Sequence, residues 1–412
     1  MNQLPRPKQS IAFFTSGLSS GGLDRQIHSM ADVFIEHGYR IHIYSLTPKS
    51  PYGTLIKQSA DLVIHYPDNS QNTIKIAGIL KTSPTLVRVV FQQFPNLSAI
   101  KKGLGHIINI NISDQYIFGK NFETLFTQLK ADNAREPIVF VLGFSYQTIR
   151  FLHTIQSELG ITAKYIEISS PKWRAAIRPA YPDEIQSLEK IDDIIVPSKT
   201  IGDELLQYYK QTRSYSVVPL FLKLPLLSNS SGSLNYPKTY GVAARLSPEK
   251  NQDLLIRIMA IIKKTSPQES IRLVLVGAGP MDKKLHSLVK KLDLKDNVIF
   301  LGQIDAIQEF IDHIGVVVLL SDVESISATL LESLYYRKPI IATDVGATKD
   351  LLKDGFNGYL IQDKNDLNGI AQKVASILTD TEKYASMARN SRTIYDASYS
   401  EAKKQLEKYF GI

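Results

Sequence analysis

The chain has 412 residues, 43% hydrophobic and 21% charged, with a formal net charge of +8 and no cysteine. Such values describe a globular chain too long for one ordinary core, so two domains of roughly 200 residues are expected. The lack of cysteine excludes a disulfide framework, thiol catalysis and thiolate-bound metal.

The opening MNQLPRPKQS leads directly into a strand rather than a long apolar run, so no signal peptide is expected. The longest apolar runs, such as VVVLL, fall far short of the roughly 20 residues that a membrane-spanning helix needs. In the first half, period-2 and period-3.6 patterns place strands at 11–15, 40–46, 62–65, 137–142, 164–169 and 193–196. They place helices at 23–37, 147–159 and 199–209. The polar and aromatic mixture over 68–130 reads as variable loops. Within it, FPNLSAIKKGLGHIINI (94–110) sets Lys101, Lys102 and His106 among apolar residues, and Gly103 and Gly105 weaken a helix there. It admits two readings, an interfacial helix on an anionic membrane and a solvated basic loop. Residues 1–225 hold 24 Lys+Arg against 18 Asp+Glu, so the positive excess lies mainly in this half. That bias suits an anionic surface or a phosphorylated acceptor. The basic residues form no continuous stripe and carry no nucleic-acid-binding motif, so nucleic acid is not an expected partner.

The stretch LPLLSNSSGSLNYPK (224–238) is polar, bounded by prolines, and reads as a linker. Beyond it strands are expected near 239–244, 271–276, 297–301, 315–320 and 339–342, and SEAKKQLEKYF (400–410) has helical spacing. Alternating strands and helices in both halves predict an α/β protein with two doubly wound domains. The expected partition is 1–223, a linker at 224–238, a second domain at 239–398 and a terminal helix at 399–412. Ligands of such sheets bind outside the carboxyl ends of the strands.

Two stretches at those strand ends carry chemistry. In YGVAARLSPEKNQDLL a strand ends at Arg245, Ser247 is a natural N-cap, Pro248 a natural N1 residue, and Lys250 falls in the first helical turn. A cation there opposes the helix dipole, which points to a bound anion. Arg245 as a fork and Lys250 as a point charge would grip a diphosphate; the plain alternative is a surface ion pair with Glu249 or Asp253. In GVVVLLSDVESISATLLES a strand gives way to a helix beginning near Ser327, with Glu324 in the loop and Glu332 in the second turn. The N–H groups of Ser325, Ile326, Ser327 and Ala328 form an anion site at the helix mouth, flanked by two carboxylates that can meet a sugar and a ribose. The alternative is a Glu324 that only favours the dipole and a solvated Glu332.

Together ARLSPEKNQDLL, LVLVGAGP (273–280), NVIFLGQI (297–304), SDVESISATLLES and KPIIATDVGATKDLLKDGFNGYLI (338–361) resemble glycosyltransferase family 4 in order and spacing over about 150 residues. The resemblance implies a GT-B fold, two Rossmann-like domains facing each other across a cleft, and retaining transfer from a nucleoside-diphosphate sugar. It implies that Arg245 and Lys250 hold the donor diphosphate, that Glu332 binds the ribose hydroxyls, and that Glu324 contacts the transferred sugar. Weaker similarity in FTSGLSSGGLDRQIHSMADVFIEHGYRIHIYSL (14–46) puts Gly21 and Gly22 where a glycine loop nears the donor. Gly277, Gly302 and Gln303 would let the backbone approach the nucleotide, with an ordinary strand-end turn as the plain reading. The family's habits further imply no metal or other cofactor, a terminal helix crossing back to the first domain, and a surface-glycan, lipopolysaccharide or glycolipid acceptor. They imply a cytoplasmic protein, at the inner face of the cell membrane if the basic segment touches lipid.

Other readings weigh less. Gly277 and Gly279 lack the third glycine and the ribose-binding acid of a dinucleotide fingerprint, which argues against a dehydrogenase. A paired-carboxylate hydrolase gives Arg245 and Lys250 no role. No His-x-x-x-His pair or acidic cluster suggests a metal. Many family members carry a histidine at the end of a first-domain strand where this chain has Gly143, Phe144 and Ser145, and a second strand ends in Ser169 and Ser170. Asp24 and His28 are the candidate substitutes, with packing or capping as their plain roles. The competing class is a catalytically inactive GT-B partner that binds a glycan or an active glycosyltransferase.

Overall fold

In the computed structural model, residues 9–16, 18, 22–47, 59–67, 121–144, 146–177, 180, 182–224, 237–304 and 307–412 are described. The strands divide into two all-parallel sheets. The first contains β1 (Ser10–Thr15), β2 (Arg40–Ser45), β3 (Leu62–His65), β4 (Ile138–Phe144), β5 (Thr162–Ile166), β6 (Asp193–Val196) and β7 (Ser216–Val217), in the order β3-β2-β1-β4-β5-β6-β7. The second contains β8 (Thr239–Ala243), β9 (Arg272–Val276), β10 (Val298–Gly302), β11 (Val316–Leu319), β12 (Ile340–Thr343) and β13 (Gly358–Ile361), in the order β10-β9-β8-β11-β12-β13. Each order reverses once, between β1 and β4 and between β8 and β11. A crevice opens at such a switch point because the helices on its two sides lie on opposite faces.

Near-continuous apolar runs form these strands, as burial on both faces requires. Ile11 and Phe13 face one layer of the first sheet with Ile41 and Ile43, whereas Ala12, Phe14 and Tyr44 face the other. The second sheet has one contiguous core, in which all four residues of β11 are buried. A helix of 30 residues, Thr381–Phe410, joins the two halves. Tyr384, Met387 and Tyr395 pack into the second core, while Ala402 and Leu406 pack into the first.

Several expectations need correction. The terminal helix begins at Thr381, capped by the Asp380 side chain, not near residue 400. Strand β13 and the helices Pro171–Ile177, Pro182–Lys190 and 121–135 were not anticipated. Strand β5 stops at Ile166 rather than 169, because the Glu167 carboxylate accepts hydrogen bonds from the Ser169 N–H and hydroxyl and turns the chain. The basic segment 94–110, Ser145, Gly21 and residues 225–236 of the linker lie outside the described residues. Among the described residues no helix is long and apolar enough to cross a membrane.

Candidate active site

Between β8 and β11, the chain leaving each strand builds one wall of a crevice. After β8 it forms a 3₁₀ turn over Pro248–Lys250, and the α-helix begins only at Gln252. This corrects the reading of Lys250 as a first-turn helical residue. The break is at Asn251, which takes a left-handed conformation with φ of 52° and donates from its side chain to the Leu320 carbonyl at 2.9 Å. Asparagine tolerates that region better than most residues. Ser247 likewise does not cap by its hydroxyl, which donates to Glu249 Oε1 at 2.6 Å. Burial alone would raise the Glu249 pKa. The Ser247 and backbone hydrogen bonds, with the charges of Arg245 and Lys250, outweigh it and hold the carboxyl below its usual range.

The opposite wall follows β11. The Asp322 N–H donates to the Glu249 carbonyl at 2.8 Å, so this loop and the 3₁₀ turn are fastened to each other. Lys250 Nζ then lies 2.6 Å from Glu324 Oε1, which also accepts from the Ser321 hydroxyl at 2.8 Å. Lys250 is therefore not paired with Glu249 or Asp253. Gly346 backs the loop with φ of +57°, and a Cβ there would overlap the Glu324 and Ser325 carbonyl oxygens. Only glycine meets both conditions without strain.

The helix after this loop spans Ala328–Tyr335, and the Ser327 hydroxyl caps it by accepting from the Leu330 N–H. Thr329 ties its first turn to the end of β8 through the Ala243 carbonyl at 2.7 Å. Ser325 to Ala328 thus stand at its mouth, with the Ser325 hydroxyl buried and lacking a hydrogen-bond partner among the described residues. Glu332 is 1% exposed, which removes the reading of a solvated helix residue. One of its oxygens pairs with Arg25 Nη1, and the other, Oε2, is buried with no partner among the described residues. Burial lowers the Arg25 pKa, although the nearby Tyr336 and Asp24 oppose that shift.

Arg245 sits beside these groups, 61% exposed and joined only loosely to Glu249 at 3.4 Å. A third edge comes from β9 and β10. Gly277 lies where a Cβ would overlap the Ala244 carbonyl oxygen, and its N–H donates to the Gly302 carbonyl at 2.7 Å. Gln303 follows and is exposed. On the first-domain side, Gly22 opens the helix Gly22–Glu36 that carries Arg25. Asp24 is fully buried, and His28 lies 3.5 Å from Asp32 on the same helix. Gly143 lies directly against Leu152 and Thr148, and a larger side chain would displace them.

Arg25 is the site residue that sequence reasoning missed. Its signal was a cation inside the glycine-loop helix, but nothing local tells which carboxylate, 307 positions away, it meets.

Residues 227–394 match the family described as glycosyl transferases group 1. Over that segment the chain is similar to group 1 glycosyl transferases. The matched segment holds Arg245, Lys250, Glu324 and Glu332, whereas the residues before 227 lie outside the match. The chain is 32% identical over 145 residues to the N-acetyl-alpha-D-glucosaminyl L-malate synthase of Bacillus anthracis, covering 35% of this chain and 38% of that protein. It is 23% identical over 229 residues to the poly(ribitol-phosphate) alpha-N-acetylglucosaminyltransferase of Staphylococcus aureus, covering 55% and 45%. The alignments thus span less than half of either relative. In three dimensions it resembles Anabaena Alr3699/HepE, crystallised with UDP-glucose, at a TM-score of 0.69 and 17% identity over 98% of this chain and 99% of that one. That likeness extends the GT-B fold to both sheets, beyond the matched segment itself.

Proposed function

We propose that the protein is a retaining glycosyltransferase that moves a sugar from a UDP- or GDP-sugar to a glycan, lipopolysaccharide or glycolipid acceptor. The observation that carries this reading is the unfilled hydrogen-bonding capacity at one helix mouth. The Ser325 hydroxyl and Glu332 Oε2 are buried without partners among the described residues, near the Lys250–Glu324 pair and an exposed Arg245. Native proteins rarely bury such groups unless something else satisfies them. A nucleotide sugar supplies what each lacks. Its ribose hydroxyls donate to Glu332, and its diphosphate accepts from Ser325, Arg245, Lys250 and the helix N–H groups.

Charge develops on the departing diphosphate, so Arg245 and Lys250 accelerate the step by stabilising it. Lys250 orients the Glu324 carboxylate, which contacts the transferred sugar. The acceptor hydroxyl attacks the anomeric carbon on the face from which the phosphate departs, and a phosphate oxygen takes its proton. The new glycosidic bond replaces the sugar–phosphate bond with the anomeric configuration kept. No residue of the reading requires a metal at the donor. The HepE complex with UDP-glucose and the Staphylococcus aureus relative's name support a nucleotide-sugar donor and a phosphate-bearing glycan acceptor. The basic excess of residues 1–225 suits such an acceptor or an anionic membrane surface, consistent with work at the cytoplasmic face.

The test is release of UDP or GDP from a panel of nucleotide sugars by the wild type and by Glu324→Ala, with product configuration read by NMR coupling. Turnover lost in the variant and retention in the product are expected. Nucleotide binding with no turnover across a broad acceptor panel would instead favour a non-catalytic partner protein.

A further inference from the structure

A second cluster lies on the first sheet, apart from the donor crevice. His42 on β2 and His65 on β3 point to the same face, since Tyr44 is the register partner of His65 and His42 lies two residues before it. The helix 121–135 covers that face and brings Asp132 to them. His42 Nδ1 and His65 Nε2 are 3.1 Å apart, and Asp132 Oδ2 lies 3.8 Å from the first and 3.4 Å from the second. From a triangle with these sides, the point equidistant from all three atoms is about 2.0 Å from each. That is the bond length of zinc to imidazole nitrogen or carboxylate oxygen.

We propose that His42, His65 and Asp132 form a binding site for one divalent transition-metal ion of the zinc, cobalt or nickel class, with water completing the coordination. Two imidazoles and one carboxylate match those ions and not calcium or magnesium, which take oxygen donors. The surroundings are built to orient the ligands. Tyr44 donates to Asp132 Oδ2 at 2.8 Å and Gln128 to Oδ1 at 2.9 Å, so both carboxylate oxygens are fixed. The His65 ring stacks on Tyr44, which stacks on Phe14. Outer hydrogen bonds of this kind hold metal ligands in register. Charge supports the same reading. Asp132 is 7% exposed, and a carboxylate buried to that degree calls for a counter-charge. A divalent ion supplies it.

His65 ends β3 and Asp132 lies on the helix 121–135, so the ion would fasten that helix to the sheet. Its role is structural, because Arg245, Lys250, Glu324 and Glu332 lie on the other domain. The sequence did not show it: the ligands are 23 and 67 positions apart and match no metal-binding spacing.

The experiment uses the full, untagged chain, stripped with chelator and titrated with Co(II) and Zn(II). Expected are one ion per chain by elemental analysis, visible Co(II) bands of a nitrogen- and oxygen-ligated site, and a raised melting temperature. His65→Ala and Asp132→Asn should abolish the bands, and Tyr44→Phe should weaken affinity about 10- to 100-fold while circular dichroism stays unchanged. Absence of binding by the folded wild type would overturn the proposal and leave a hydrogen-bonded His–His–Asp network. Binding unaffected by any of the three substitutions would also overturn it, since the ion would then sit elsewhere.

Discussion

Arg25, on the first helix of the chain, pairs through Nη1 with Glu332 Oε1, in the helix behind the donor crevice of the second domain. The pair bridges the two domains behind the helix mouth of Ser325 to Ala328. Removing the guanidinium strands a carboxylate that is 1% exposed. Arg25→Ala is therefore expected to lower stability by about 2–4 kcal/mol in chemical denaturation, as for a broken buried pair. Arg25→Met combined with Glu332→Gln should recover part of that loss, because no buried charge remains. Equal loss in the single and double variants would show that the pair has no energetic coupling.

Arg245 behaves oppositely. With 61% of its side chain exposed and one long contact, it contributes little to the fold. Arg245→Ala should leave the melting temperature within about 2 °C of wild type, as surface substitutions do. It should weaken calorimetric affinity for a nucleoside diphosphate about 10- to 100-fold, the loss of a charge-assisted contact. Unchanged affinity would remove Arg245 from the site.

Gly346 tests how the Glu324 loop is held. Gly346→Ala places a methyl group against the Glu324 and Ser325 carbonyls at a φ of +57°. The left-handed conformation alone costs about 1–2 kcal/mol for a residue with a Cβ. Both a drop in stability of at least that size and a fall in turnover are expected, the second because the carboxylate moves. A variant with wild-type kinetics would mean that the loop relaxes without displacing Glu324.

The terminal helix gives a pH-dependent prediction. Glu36, on the first helix, accepts from Lys403 at 2.7 Å and from Lys223 at 3.0 Å. The Lys403 bond first, then the Lys223 bond, lowers its pKa below the unfolded value of 4.5. A depressed carboxyl stabilises the fold fully above that unfolded value and ceases to do so as pH falls through the folded value. The melting temperature of Glu36→Gln should thus lie slightly below wild type at pH 7, and the two should converge near pH 3. The gap should be small, because Glu36 is 42% exposed and solvent screens the pair. A gap that persists at pH 3 would assign the effect to packing rather than charge.

The local geometry of the candidate site was legible in the chain because its parts are close in sequence. Ser327 as helix cap, Glu332 in the second turn and Arg245 at a strand end all follow from residues a few positions apart. The 3₁₀ turn at Lys250 was not legible. It depends on Asn251 reaching the Leu320 carbonyl, 69 positions along the chain. The early end of β5 depends on a buried arginine for the same reason. Arg174 bonds Glu167 at 2.7 Å, and that carboxylate turns the chain at Ser169.

Alternation of apolar strands and amphipathic helices, with glycines and caps at the strand ends, settled by itself that this is a doubly wound α/β chain. These are periodicities of 2 and 3.6 residues, and the backbone reads them locally. Which cation meets which carboxylate was decided only when parallel strands were ordered and helices laid across them. Arg25 with Glu332, Lys250 with Glu324, and His42 and His65 with Asp132 are pairings between distant segments, and side-chain identity alone leaves many equivalent partners. The packing of two sheets selects one set, because only the folded chain brings these distant segments side by side.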